Sequence, residues 1–349
     1  MKILEFDRKN IENVIDKVVK KTVYMDMKWN WPCGVGYYGV CKAWEVLKKD
    51  EYIEFLVEWV DEYLEIGLPP FMVNSVSMGH TMLTLYEATN DEKYLDIANR
   101  KAEYLKNDAL RFGENIFQHT VSSKNDFPEQ AWADTLFMAA YFLLRMGVKF
   151  NIEEYVNDAL NQYYWHEELL QDNKTNLYYH GWDNVNKNHM SGVFWARGNA
   201  WATLTMAEAL KLLVPQNPYF MNIDCSLRDQ LSALVRLQLD NGLWPTVLTD
   251  SSSYGEVSAS AGIATGLLIY AHPEHGNPLY LKYVNKALKG ILENIDEDGS
   301  VRSVSAGTAI MENEATYNKI GKKRIQGWGQ GLTLAFLSEV LKFDDSLKK

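Results

Sequence analysis

Asp134 is the residue that most needs a chemical reason. It stands in "DFPEQAWADTLFMAAYFLLRMG", residues 126–147, with no basic residue one turn away on either side. From Trp132 to Met146 the run reads as a helix apolar on nearly every face, and such a helix is normally buried. An unpaired carboxylate inside it is costly. Pro128 suits a first helical turn, so "PEQAW" is expected to open the helix and leave Asp134 beyond its cap. Desolvation raises the pKa of such an acid. A carboxyl that stays protonated near neutrality can act as a general acid.

Other residue types with chemical potential cluster in a few short runs. Arg197 and Trp195, with Trp201, lie in "FWARGNAW". An arginine entering a buried helix is either one half of a structural ion pair or a planar receptor for a carboxylate. His119 in "FQHTV" and His180 in "YYHGW" fall in irregular segments just before buried helices. A histidine there is either a satisfied structural group or a proton carrier. Glu256 and Ser258 open a helix and either cap it or face a ligand. The seven histidines show no metal spacing, and "HPEH" at 272–275 is read as chance. No metal and no cofactor is expected. "GWGQG" has no strand before it, which argues against a nucleotide loop.

These residues need a scaffold, and the helices supply one by alternating between two kinds. Long, charged, amphipathic helices are expected near 9–21, 51–66, 91–109, 151–170, 219–240 and 278–295. Helices poor in charge and rich in Gly, Ala, Ser and Thr are expected near 35–48, 74–89, 129–146, 195–213, 257–272 and 328–342. Six of each in strict alternation describe an all-α fold, a six-fold (α/α) barrel with an inner ring of buried helices inside an outer ring. "DNKTNLYYHGW", "LDNGLWPTV" and "DEDGSVRSV" each follow an outer helix with a turn and a short β-like run. No Pro/Gly/Ser-rich linker divides the chain, so residues 1–349 are expected to form a single domain.

If the inner helices run parallel, their N-terminal ends open on one face. Tryptophans and isolated polar groups gather there, including Trp31 in "MKWNWPCGVGYY". Aromatic faces pack on pyranose C–H groups while polar groups read hydroxyls, so the cleft suits a sugar. Helix N-termini also favour an anionic ligand. The formal net charge of −11, from 35 basic and 46 acidic residues without a basic block, argues against nucleic acid. Any acidic ligand must therefore meet a locally positive site within a negative protein. No membrane span is expected, and no secretory signal is read in "MKILEFDRKN". Three cysteines, Cys33, Cys41 and Cys225, suit reduced thiols in a cytoplasmic protein.

The runs "FPEQAWADTLFMA", "YYHGW" and "SGVFWARGNAW", in their order and spacing, resemble the unsaturated rhamnogalacturonyl hydrolases, glycoside hydrolase family 105. The resemblance extends along most of the chain and implies the same barrel. It also implies action on oligosaccharides whose non-reducing end carries a C4=C5 unsaturated galacturonate. The implied reaction hydrates a vinyl ether: an acid protonates C4, water adds at C5, and the hemiketal collapses to release the next sugar. The two-carboxylate spacing of ordinary glycosidases then need not apply. By resemblance Asp134 is the acid, His119 and His180 are site histidines, Arg197 and Trp195 bind the uronate, and Trp201 is an aromatic wall. Many members have an aspartate where this chain has Asn74, in "VNSVSMGH".

Other readings remain open at this point. An unsaturated glucuronyl hydrolase is one alternative. An inverting glycosidase or sugar epimerase needs a second group, for which Glu129, Glu256 or a histidine pair are candidates. A non-enzymatic helical-repeat scaffold would not place solitary acids and tryptophans at alternate helix starts.

Overall fold

A computed structural model describes residues 4–272 and 277–348. The outer helices are α1 (Arg8–Val23), α3 (Asp50–Ile66), α5 (Glu92–Asn107), α7 (Glu153–Leu170), α9 (Phe220–Leu234) and α11 (Leu281–Leu292). The inner helices are α2 (Trp31–Leu47), α4 (Met78–Thr89), α6 (Tyr141–Phe150), α8 (Ala196–Leu212), α10 (Val257–Tyr270) and α13 (Gly327–Ser346). A short α12 (Glu314–Asn318) lies in the loop before α13. The ring closes where α13 packs on α2.

Composition separates the rings. Every residue of α10, "VSASAGIATGLLIY", is buried. α3 buries only one stripe, Tyr52, Ile53, Leu56 and Val60, and leaves its acids outside. Each fully buried Leu or Ile contributes roughly 1.5–3 kcal/mol, so the apolar stripe fixes which face of an outer helix turns inward. Close approach of inner helices depends on glycine: a Cβ on Gly39 of α2 would overlap the backbone of Gly331 in α13. Asn90 and Asn151 end α4 and α6 in the left-handed conformation that this residue type tolerates.

The inner helices run in one sense. Their C-terminal ends meet at one end of the barrel, where Lys42 of α2 contacts Glu208 of α8 at 3.2 Å and Lys342 of α13 contacts Glu45 of α2 at 2.5 Å. Cations at helix C-termini complement the partial negative charge there. The N-terminal ends therefore share the opposite face, as expected.

Short antiparallel strands build that face. β1 (Arg111–Phe112) pairs with β2 (Ile116–Phe117), β3 (Gln130–Trp132) with β4 (Gly181–Asp183), and β5 (Trp244–Pro245) with β6 (Gly255–Glu256). The β3–β4 pair corrects the expected helix start. Gln130, Ala131 and Trp132 pair with Asp183, Trp182 and Gly181, so "QAW" is extended and not helical, and Glu129 before it is a turn residue with a φ of 52°. The helix begins at Asp134, followed by a π-helical stretch at Leu136–Ala140 that runs into α6. Cross-strand hydrogen bonds outweighed the helical pattern that the apolar run suggested. A π-stretch widens one turn of the ladder and often marks a functional site.

Candidate active site

A cavity of about 250 Å³ opens on the N-terminal face of the inner ring. Its wall includes Trp31 at the start of α2, Asn74 ahead of α4, His119, Asp134, and Trp195 and Arg197 at the start of α8. Phe127, Trp132 and residues 307–309 complete it. Six of the eight expected site residues thus converge from distant parts of the chain.

Asp134 is not unpaired. Its Oδ1 accepts a hydrogen bond from Trp201 Nε1 at 3.1 Å, and its Oδ2 lies 3.3 Å from His180 Nε2. Oδ2 and Nε2 are both buried and, among the described residues, neither makes an aligned hydrogen bond. The expectation of a raised pKa is overturned by these neighbours. Burial pushes the carboxyl up, but the His180 ring beside it, then His119 and Arg197, outweigh this and hold it below the usual carboxylate value. Asp134 is therefore a carboxylate near neutral pH.

Both histidines are neutral there. Burial lowers His180 despite the pull of Asp134, and it lowers His119 to about 4. His119 lies against Trp132 with ring centroids 4.3 Å apart, and its Nδ1 is 3.1 Å from Thr135 Oγ1. His180 lies beneath Trp195, with centroids 4.2 Å apart, and is not on the cavity wall.

Tyr317, from α12, was not singled out in the sequence. Its hydroxyl is 2.6 Å from His180 Nδ1 and accepts from Met311 N at 3.3 Å. Burial raises this phenol to about 12, so it keeps its proton and donates it to Nδ1. That leaves Nε2 to carry the imidazole proton, facing Asp134. Tyr317 lies in an irregular loop without periodicity, and nothing local marks it in the sequence.

Trp201 does not form part of the wall. It is fully buried, packs on Phe137 at 4.9 Å and holds Asp134 through its indole N–H. The aromatic wall is formed by Trp31, Trp132 and Trp195, and Trp328, which opens α13, backs Trp31 by stacking on it at 4.5 Å.

Arg197 lines the cavity with its donors engaged. Nη1 pairs with Glu256 Oε1 at 3.1 Å and bonds Ser305, while Nη2 donates to Ala306 O at 2.9 Å and Thr308 Oγ1 at 3.2 Å. The structural ion pair left open by the sequence is therefore present. A carboxylate would meet the guanidinium through shared or exchanged hydrogen bonds and not through an empty fork.

Glu256 is the N-cap of α10: it accepts from Ala259 N, from Ser258 and from Ser305 N. Glu129 bonds Asn184 and lies off the cavity wall. Neither is placed to serve as a second reacting carboxylate. Residues 273–275 of "HPEH" lie outside the described residues.

Four buried polar atoms around the pocket make no hydrogen bond among the described residues: Asn74 Oδ1, Asp134 Oδ2, His180 Nε2 and Trp195 Nε1. Asp134 Oδ2 and His180 Nε2 face each other at 3.3 Å, which leaves Asn74 Oδ1 and Trp195 Nε1, both on residues of the cavity wall, as the groups suited to a ligand's donors and acceptors.

The model of Glycosyl Hydrolase Family 88 matches residues 4–344. The chain belongs to that family. This family 88 hydrolase is 55% identical to the unsaturated rhamnogalacturonyl hydrolase YesR of Bacillus subtilis over 340 residues, 97% of each chain. That similarity bears out the resemblance drawn from its short motifs. It is also 28% identical over 232 residues to the unsaturated 3S-rhamnoglycuronyl hydrolase of Formosa agariphila, covering 61% of this chain and 58% of that one. Among solved structures, a possible member of the GH105 family from Salmonella enterica serovar Paratyphi A superposes with a TM-score of 0.92 at 28% identity, covering 97% of this chain and 95% of that one. The family 88 fold extends to the unsaturated glucuronyl hydrolase of Bacillus sp. GL1, with a TM-score of 0.73 at 17% identity and 94% of each chain covered.

Proposed function

We propose that this hydrolase removes a Δ4,5-unsaturated galacturonate from the non-reducing end of rhamnogalacturonan-derived oligosaccharides by hydrating its vinyl ether. One observation carries the reading: Asp134 is the only carboxylate on the wall of the cavity among the described residues, and position 74 is an amide. Displacement at the anomeric carbon requires two carboxyl groups flanking the bond. Hydration requires one, which gives a proton to C4 and then takes one from the water that adds at C5.

The ionised state of Asp134 makes the acid a product of substrate binding. An arriving uronate brings its own negative charge and displaces water, and both effects raise a neighbouring carboxyl's pKa. Asp134 then takes up a proton. His180, held by Tyr317 with Nε2–H towards Asp134, steadies the carboxylate before and after transfer. His119 and Asn74 are assigned to hydroxyls or water, Trp31 and Trp195 to the sugar faces, and Trp201 to holding Asp134. Arg197 orders the 305–308 loop and offers the uronate shared hydrogen bonds from a guanidinium already paired with Glu256. No cofactor enters the scheme.

We also propose that residues 1–349 act as one catalytic domain, in a cytoplasmic setting that suits three free thiols, Cys33, Cys41 and Cys225. A panel of unsaturated galacturonyl, glucuronyl and iduronyl disaccharides, followed by loss of the conjugated C=C absorbance, tests the substrate assignment. The galacturonyl-rhamnose compound is expected to be turned over fastest; a faster glucuronyl compound would replace the assignment.

A further inference from the structure

An acidic ligand of a protein with net charge −11 needs local positive charge, and among the described residues the wall of the reacting pocket carries one cation, Arg197, whose charge is shared with Glu256. Arg197 is compensated by Glu256 at 3.1 Å, and His119 is neutral. The uncompensated charge lies next door. Lys322, Lys323 and Arg324 are consecutive and exposed, and among the described residues none of them forms an ion pair. Lys322 Nζ lies 4.0 Å above the Tyr254 ring.

The stems of these three side chains line a largely apolar hollow of about 550 Å³ with Ala306 and Ile320, and their charged ends stand exposed at its edge. Ala306 joins that cavity to the reacting one. Its N–H donates to Gly321 O at 2.8 Å, its carbonyl accepts from Arg197 at 2.9 Å, and residues 307–309 just beyond it form the wall beside Asp134. The cationic strip is thus tied through one peptide to the rim of the pocket.

We infer that Lys322, Lys323 and Arg324 form a downstream subsite for a second carboxylate, carried by a sugar beyond the bond that is cleaved. The inference rests on the proposed function, in which the substrate is a fragment of an acidic polysaccharide. An oligosaccharide with uronates at alternate positions would place its first acid at the reacting pocket and its next acid outside, separated by one neutral sugar. A disaccharide bearing only the unsaturated uronate cannot reach the strip. Exposed charges of this kind add modestly to affinity and are screened by salt.

The test compares kcat/KM for an unsaturated disaccharide with one uronate and an unsaturated tetrasaccharide with two. It uses the full chain and the triple variant Lys322→Gln/Lys323→Gln/Arg324→Gln. The unsubstituted enzyme is expected to favour the tetrasaccharide about three- to tenfold at low ionic strength, and the preference is expected to fade towards unity near 1 M salt, where the screening length is about 3 Å. The triple variant is expected to lose the preference at every salt concentration. Equal values for the two substrates in the unsubstituted enzyme, a preference that survives high salt, or a parallel fall on both substrates in the variant would each overturn the subsite. The last result would assign the strip to the reacting uronate. Turnover of neither substrate would overturn the proposed function itself, and the subsite with it.

Discussion

Asp134 Oδ2 and His180 Nε2 face each other at 3.3 Å, both buried and neither aligned in a hydrogen bond. This separation leaves a carboxylate that is stabilised by its neighbour and still open to substrate. It also sets the direction of the expected pH dependence. kcat/KM reports the free enzyme, where Asp134 titrates below the usual carboxylate range. If Asp134 must carry a proton, kcat/KM falls about tenfold per pH unit through the neutral range, whereas kcat stays level until the higher pKa of the complex is passed. Initial rates over pH 5–8 test this, together with calorimetry in buffers of different ionisation enthalpy to detect proton uptake on binding. Coincident limbs for kcat and kcat/KM would show that binding does not shift Asp134.

Tyr317 acts through His180 and not on substrate. In Tyr317→Phe the proton donor to Nδ1 is lost, so the imidazole can protonate Nδ1 and turn an unprotonated Nε2 towards Asp134. We expect kcat to fall about tenfold with KM little changed, and the Nδ1 and Nε2 NMR shifts of His180 to report the exchanged tautomer. An unchanged tautomer with a reduced rate would make Tyr317 a packing residue.

Asn74→Asp would restore a second carboxyl at the pocket wall. Two close acids titrate as a pair, and like-charge repulsion raises the upper pKa. The alkaline limb of the pH–rate profile should therefore move up. A limb that stays in place would mean that position 74 does not sense Asp134.

Arg197 is expected to matter for stability as well as binding. Removing one partner of a buried pair typically costs roughly 3–5 kcal/mol, and Arg197→Met strands Glu256 and the 305–308 loop contacts. Denaturant unfolding of Arg197→Met, Glu256→Gln and the double variant would measure the coupling. Additive effects would dissociate the pair energetically, and a KM effect alone would return Arg197 to the role of simple carboxylate receptor.

Much of this arrangement was legible in the sequence because burial leaves a compositional trace. "VSASAGIATGLLIYA" could only be an inner helix, and the parallel inner ring then required its N-terminal residues to meet. Trp31, Asn74, His119, Asp134, Trp195 and Arg197 do meet. What was not legible depended on contacts between segments far apart. The pairing of Gln130–Trp132 with Gly181–Asp183 moved the helix start to Asp134. Trp201, His180 and Arg197, far along the chain, turned an apparently unpaired acid into a stabilised carboxylate. Tyr317 reaches His180 across 137 positions, and no local pattern encodes that distance.

The central claim is that Asp134 protonates the C4=C5 bond and that sugar release follows from hydration. Its most direct test follows C=C absorbance and reducing-sugar release together on unsaturated galacturonyl-rhamnose, with the unsubstituted enzyme and Asp134→Asn. The account predicts that the two signals change together in a one-to-one ratio, and that both slow by about 10²–10⁴-fold in Asp134→Asn while the fold is kept. Rhamnose released while the absorbance persists, or a near-native rate in Asp134→Asn, would contradict it.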